Sequence, residues 1–129
     1  RRNMGGQVIR TDRAPGAIGP YNQAVRAGGF LFTAGQIPLD PVTMQVVGTT
    51  AAEQARQALQ NAQAIVEAAG LTMNDVVKAT VFIRDMGQFA AINEVYATFF
   101  PGEPPARSVV EVSRLPKDVL VEVELVAYA

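Results

Sequence analysis

Apolar positions along the chain change their period several times, and each change marks a predicted element. Short apolar runs at 7–10, 23–27 and 30–37 read as three strands. The Gly- and Pro-rich segment 14–20 reads as a loop, and Gly28-Gly29 as a tight hairpin turn that accepts positive φ. Beyond Thr50 the period lengthens: Ala55, Ala58, Leu59, Ala62, Ile65, Val66 and Ala69 share one face at helical spacing, with Glu53, Arg56, Gln60 and Glu67 mostly elsewhere. Thr50 and Glu53 have the spacing of a capping box, and Gly70 stands where a helix end calls for a left-handed residue. A second helix is predicted to start near Asp85 with Gln88 as its box partner, to bury Phe89, Ile92, Val95, Tyr96 and Phe99, and to stop before Pro101. β-branched runs at 76–84, 107–113 and 119–128 read as three further strands, the last two joined by Arg114-Leu115-Pro116-Lys117-Asp118.

The resulting order is βββαβαββ, an α+β chain with no repeat and no linker-like shift in composition, so a single domain over 1–129 is expected. Two helices can cover only one face of such a sheet. Yet Val121, Val123, Leu125 and Ala127 alternate with Leu120, Val126 and Tyr128, which makes both faces of the last strand apolar. In a chain this short another copy of itself is the economical cover, so a symmetric oligomer is expected.

Composition narrows the chemistry. A net charge of -1 and a pI near 5.4 remove the broad attraction that drives phosphate-backbone binding, which makes nucleic acid a poor partner. With no Cys and no His, the chain lacks thiolate nucleophiles, imidazole bases and thiol or imidazole metal ligands. No apolar run reaches the roughly 20 residues of a membrane span, and Arg1-Arg2-Asn3-Met4-Gly5-Gly6 precedes no signal-like apolar stretch, so a cytoplasmic protein is expected. Reactivity must come from Arg, Glu, Asp, Tyr and the main chain.

Charged residues interrupt the apolar C-terminal strands. Arg107, Val109, Glu111 and Ser113 share one side of their strand, Glu122 and Glu124 one side of the next, and hairpin pairing of the two would bring Arg107 near 122–125. Spacing alone leaves two readings open: a structural ion pair at a sheet edge or subunit interface, or a binding site.

Several motifs carry more. Pro105-Ala106-Arg107-Ser108, Val110-Glu111-Val112, Arg114-Leu115-Pro116-Lys117-Asp118 and Val121-Glu122-Val123-Glu124 follow one another near the end. Upstream stand Ile18-Gly19-Pro20-Tyr21-Asn22-Gln23-Ala24, Ala34-Gly35-Gln36-Ile37-Pro38, Ala64-Ile65-Val66-Glu67-Ala68-Ala69-Gly70 and Val81-Phe82-Ile83-Arg84-Asp85-Met86. In this pattern, spread over nearly the whole chain, the sequence resembles the RidA family of imine deaminases.

The resemblance implies a chorismate-mutase-like fold of the bacillus type, a six-stranded mixed sheet with two helices on one face, assembled as a homotrimer with clefts between subunits. It implies hydrolysis of 2-iminobutanoate, 2-iminopropanoate and related enamines, released by pyridoxal-phosphate enzymes, to 2-oxo acids and ammonia, a reaction for which no metal or organic cofactor is expected because the iminium is already electrophilic. Arg107 matches the family's substrate-binding arginine and Glu122 the carboxylate that handles water. Tyr21 and Asn93 match pocket residues, Gly35 and Val109 main-chain donors, and Ala34 a pocket position where many relatives have Ser. Val109 likewise stands where many have Cys; both departures touch substrate preference and rate more than reaction class. Ser108 has no base to activate it and reads as an ordinary strand residue. Competing readings are a non-catalytic regulator that binds 2-oxo acids through the same arginine, an RNA-cleaving or translation-inhibiting protein, disfavoured by the acidic pI, and, from fold analogy alone, a chorismate mutase.

Overall fold

The computed structural model describes residues 6–129; the reading of the first residues as carrying no leader falls mainly on 1–5, outside the described residues. The strands are β1 (Gly6–Ile9), β2 (Ala24–Ala27), β3 (Phe30–Thr33), β4 (Val76–Ile83), β5 (Ala106–Glu111) and β6 (Val121–Tyr128), and the helices α1 (Ala51–Ala68) and α2 (Phe89–Phe99). The order βββαβαββ is the expected one. The strands form a six-stranded sheet ordered β1-β2-β3-β6-β4-β5, antiparallel throughout except for the parallel β4–β5 pair. Gly28 takes φ 58 in the β2–β3 turn, the conformation for which its missing Cβ suits it.

Both helices pack on one face. α1 lays Ala55, Ala58, Leu59, Ala62, Ile65 and Val66 against the sheet, and the alanines allow close approach to Val121, Val123, Leu125 and Ala127 of β6, each at most 1% exposed. Its start is the expected capping box: Glu53 N donates to Thr50 Oγ1 at 3.2 Å while Glu53 Oε1 accepts from Thr50 N at 3.1 Å. Gly70 follows the helix with φ 82, and Arg26 Nη1 donates to the Ala69 carbonyl at 2.8 Å. The start of α2 differs from expectation. Asp85 accepts from Gly87 N at 2.8 Å and caps a short 3-10 turn, Met86–Gln88, so α2 begins at Phe89 and Gln88 forms no box. A glycine in the first turn weakens α-helix there and lets the tighter turn take over.

The largest correction concerns the C-terminal strands. β5 does not pair with β6; it runs parallel to β4 along its outer edge, while β6 lies between β3 and β4. The connection includes a 3-10 turn, Pro116–Asp118, with positive φ at Lys117 and Asp118. The physical reason is burial. β6 alternates apolar groups on both faces and gains most in the sheet interior, whereas β5, carrying Arg107 and Glu111, suits an edge. On the face away from the helices Phe30, Phe32 and Tyr128 remain 44, 48 and 52% exposed. The Phe30 and Tyr128 ring centroids lie 4.8 Å apart, which makes a contiguous aromatic patch of the kind that marks an interaction surface.

Candidate active site

The first cluster of candidate residues is created by an irregularity in the sheet. Phe32 pairs with Val126 and Gln36 with Val123, so Thr33, Ala34 and Gly35 stand opposite only Glu124 and Leu125. The surplus residue bulges the chain. Thr33 Oγ1 fills part of the broken ladder by accepting from Leu125 N at 3.0 Å, and Ala34 N donates to Gln23 O at 2.8 Å. Gly35 N–H donates to no acceptor among the described residues. Directly over Gly35 lies the Glu122 side chain. A Cβ at position 35 would overlap Glu122 Oε2 and lie 2.8 Å from its Cδ, so a side chain there would push the flexible Glu122 carboxylate aside.

Glu122 and Gly35 line a cavity of about 320 Å³ together with Tyr21 and Ala34, and with apolar groups that include Pro15, Ile18, Ile37, Leu39 and Pro116. Four of the candidate residues are thus brought together. Two buried amides hold the walls in place. Gln23, 5% exposed, donates to the carbonyls of Thr11 and Pro15 at 3.0 and 2.8 Å and accepts from Thr11 N at 2.7 Å, which folds the loop over the cavity. Asn61 of α1 reaches the carbonyls of Ile37 and Leu39 at 3.1 and 2.9 Å. Sequence reasoning missed both; the available signal was an amide at a position that must be buried, where it is tolerated only if hydrogen-bonded.

Burial, and to a smaller degree the neighbouring Glu124 carboxylate, pushes the pKa of half-buried Glu122 above its ordinary value. A carboxyl whose folded pKa exceeds its unfolded one makes the native state bind more protons across that interval. Its contribution to stability is therefore full below the unfolded value near 4.5 and disappears as pH rises through the folded value. Urea unfolding from pH 4 to 7 is expected to show stability falling more steeply with pH for the wild type than for Glu122→Gln. Equal slopes would mean that Glu122 is not desolvated.

The second cluster lies elsewhere. Arg107 pairs with Ala79, whose side chain is buried under the helices, so Arg107 projects on the helix side of β5; Glu122 pairs with Phe82 on the opposite side of the sheet. Arg107 Nη1 donates to Asn93 Oδ1 at 2.7 Å. Its guanidinium carbon lies 4.6 Å from the Tyr96 ring centroid and 5.5 Å from that of Phe89. The ion pairs among the described residues, Arg13–Glu67 and Arg114–Asp118, do not involve it. Val112 N donates to Ile83 O at 2.8 Å, so by the alternation of a parallel ladder the N–H groups of Arg107 and Val109 point away from the sheet at its free edge. Arg107, Asn93 and the Val109 main chain therefore form one group, and Tyr21, Ala34, Gly35 and Glu122 another. The expected approach of Arg107 to Glu122 within one chain does not occur, because β4 separates their strands and they point to opposite faces.

Among the described residues no helix is long and apolar enough to cross a membrane. A family model described as endoribonuclease L-PSP matches residues 11–129. A RutC family protein of Pyrococcus horikoshii is 57% identical over 122 residues, which cover 95% of this chain and 97% of that protein. The 2-iminobutanoate/2-iminopropanoate deaminase of Escherichia coli K12 is 52% identical over 124 residues, covering 94% and 96%. The crystal structure of E. coli TdcF with bound serine shares the fold at a TM-score of 0.92 and 51% identity, covering 95% of this chain and 98% of that one.

Proposed function

The chain belongs to the RidA family, whose matching family model bears the description endoribonuclease L-PSP, and from that premise we propose that it hydrolyses 2-imino acids to 2-oxo acids and ammonia. The observation that carries this reading is the half-buried Arg107, which has no carboxylate partner among the described residues and whose charge is left for a ligand. Its planar fork can grip a substrate carboxylate through two parallel hydrogen bonds. The other half of the chemistry lies in the Glu122 cavity. In a homotrimer formed through the open sheet face, the edge of β5 from one subunit meets the Glu122 cavity of the next, and the two groups complete one site.

In that site Arg107 and the Val109 N–H fix the carboxylate, and the Gly35 N–H faces the polar atoms of the reacting end. Glu122 takes a proton from water as its oxygen attacks the C=N carbon, giving a tetrahedral carbinolamine. The same carboxyl then returns that proton to the nitrogen; as the C–N bond breaks and ammonia leaves, the hydroxyl proton passes to the Glu122 carboxylate and on to solvent, and the 2-oxo acid remains. The burial that raises the Glu122 pKa makes its carboxylate a stronger proton acceptor than an exposed one. The protonated imine is already electrophilic, so positioning and proton transfer suffice, and the reaction as written needs no metal or organic cofactor. The cytoplasm, where pyridoxal-phosphate enzymes release such imines, is the compartment this role requires.

A second reading is favoured by the serine held in TdcF: a 2-oxo acid or amino acid binder without turnover would use the same arginine. RNA cleavage has less support, since a net charge of -1 gives no basic track for a phosphate backbone. Threonine dehydratase with threonine separates the readings. Addition of this protein is expected to speed the appearance of 2-oxobutanoate several-fold while threonine consumption is unchanged. Identical progress curves with and without it would leave only binding.

A further inference from the structure

Phe89, Asn93 and Tyr96 recur at spacings of four and three along α2 and so share one helix face. That face meets Arg107: the Asn93 amide oxygen takes one guanidinium N–H, and the rings of Tyr96 and Phe89 lie within cation–π range at 4.6 and 5.5 Å. Periodicity alone reads Phe89 and Tyr96 as core fillers, and Tyr96, 6% exposed and in tilted contact with Phe100 at 4.8 Å between ring centroids, does fill the core. A core role leaves one fact unexplained. An edge-strand arginine carries four flexible bonds, and here it is held by groups that fix its plane without neutralising its charge. A carboxylate at position 93 would fix it equally well and would compete with any incoming anion. The neutral amide and two π faces do not.

We infer that Phe89 and Tyr96 are positioning residues that clamp the Arg107 guanidinium in one orientation, leaving its outer N–H edge to receive a ligand carboxylate. This rests on the proposed role of Arg107 as carboxylate anchor. The ring of Tyr96 acts, not its hydroxyl, which is buried and has no hydrogen-bond partner among the described residues. Preorganisation of this kind appears in affinity more than in turnover, because the carboxylate is gripped in ground and transition states alike.

The test uses full-length Tyr96→Phe, Tyr96→Leu and Phe89→Leu with two readouts. The first is the Arg107 Nε–H resonance without ligand, assigned by its loss in Arg107→Lys. It should be displaced by ring currents in the wild type and in Tyr96→Phe and move toward the free-arginine position in either leucine variant. The second is the calorimetric affinity for 2-oxobutanoate and the KM for imine hydrolysis. Each leucine variant should weaken both by roughly three- to tenfold with kcat changed less than about twofold, and Tyr96→Phe should match the wild type. Phe89, only partly buried, carries the test if Tyr96→Leu melts early. A folded Phe89→Leu with unaltered resonance and affinity overturns the inference, as does a Tyr96→Phe as defective as Tyr96→Leu. A wild type that turns over no imine, yet binds 2-oxobutanoate with the predicted variant pattern, refutes the deaminase reading and keeps the clamp.

Discussion

Replacing Arg107 with Ala is expected to remove the acceleration of 2-oxobutanoate formation proposed for the wild type, by about a hundredfold or more in kcat/KM, while the variant still folds. The size follows from what is lost: a bidentate, charge-assisted grip on a small anion, for which truncation of one partner typically removes several kcal/mol. The stability effect is moderate: Arg107 makes no ion pair among the described residues, and its two aromatic contacts and its Asn93 hydrogen bond together contribute on the order of 2–3 kcal/mol. Lys at the same position keeps the charge but loses the planar fork, and should recover only a minor part of the activity, mainly through KM. Rates come from the dehydratase-coupled assay at several threonine concentrations, and folding from thermal melts. An Arg107→Ala protein that accelerates as well as the wild type would remove the anion anchor and the deaminase reading with it.

The elements were legible because their signals are local. The α1 stripe repeats every turn, its Thr50–Glu53 box spans three residues and Gly70 is a single position, and each does in the fold what its chemistry predicts. Strand partners are not local. The alternation of 107–113 and 119–128 identifies two strands, yet nothing in it tells a hairpin from a crossover past β4; the apolar character of β6 against the charged β5 decides, and that comparison needs the whole sheet. The site follows the same division. Arg107 and Glu122 stood out as charges in apolar strands, and resemblance named Tyr21, Ala34, Gly35, Asn93 and Val109 beside them. The bulge that strips Gly35 of a partner and lays Glu122 over it comes from a pairing offset between Phe32↔Val126 and Gln36↔Val123, which leaves no mark on either strand alone. Phe89 and Tyr96 were legible only as apolar. Their second role depends on which residue the neighbouring strand sets against them.

Glu122→Gln, isosteric but unable to take up a proton, should reduce turnover by roughly a hundredfold while leaving 2-oxobutanoate affinity within a few-fold of the wild type. Paired with Arg107→Ala, it tests the division of the site between protomers. Each variant keeps the half that the other lacks, and the fold puts those halves on opposite faces of one sheet, beyond mutual reach. If adjoining subunits supply one half each, a ring assembled at random from equal amounts of the two variants contains sites where an intact Arg107 meets an intact Glu122. Independent choice of the two contributors makes those about a quarter of all sites, and about one in three in a trimer once rings of a single chain are removed. Co-expression with different tags, followed by selection for both, should therefore yield a preparation with activity far above either parent, from two proteins that are nearly inert alone. A protein that worked as a monomer would show no such recovery, because every protomer would still carry one disabling substitution. Mixed assemblies no more active than their parents, with both chains shown to be present in one particle, would therefore rule out a shared site. The experiment rests on the strand order: with β4 between β5 and β6, and the two side chains on opposite faces, one protomer does not bring Arg107 and Glu122 together.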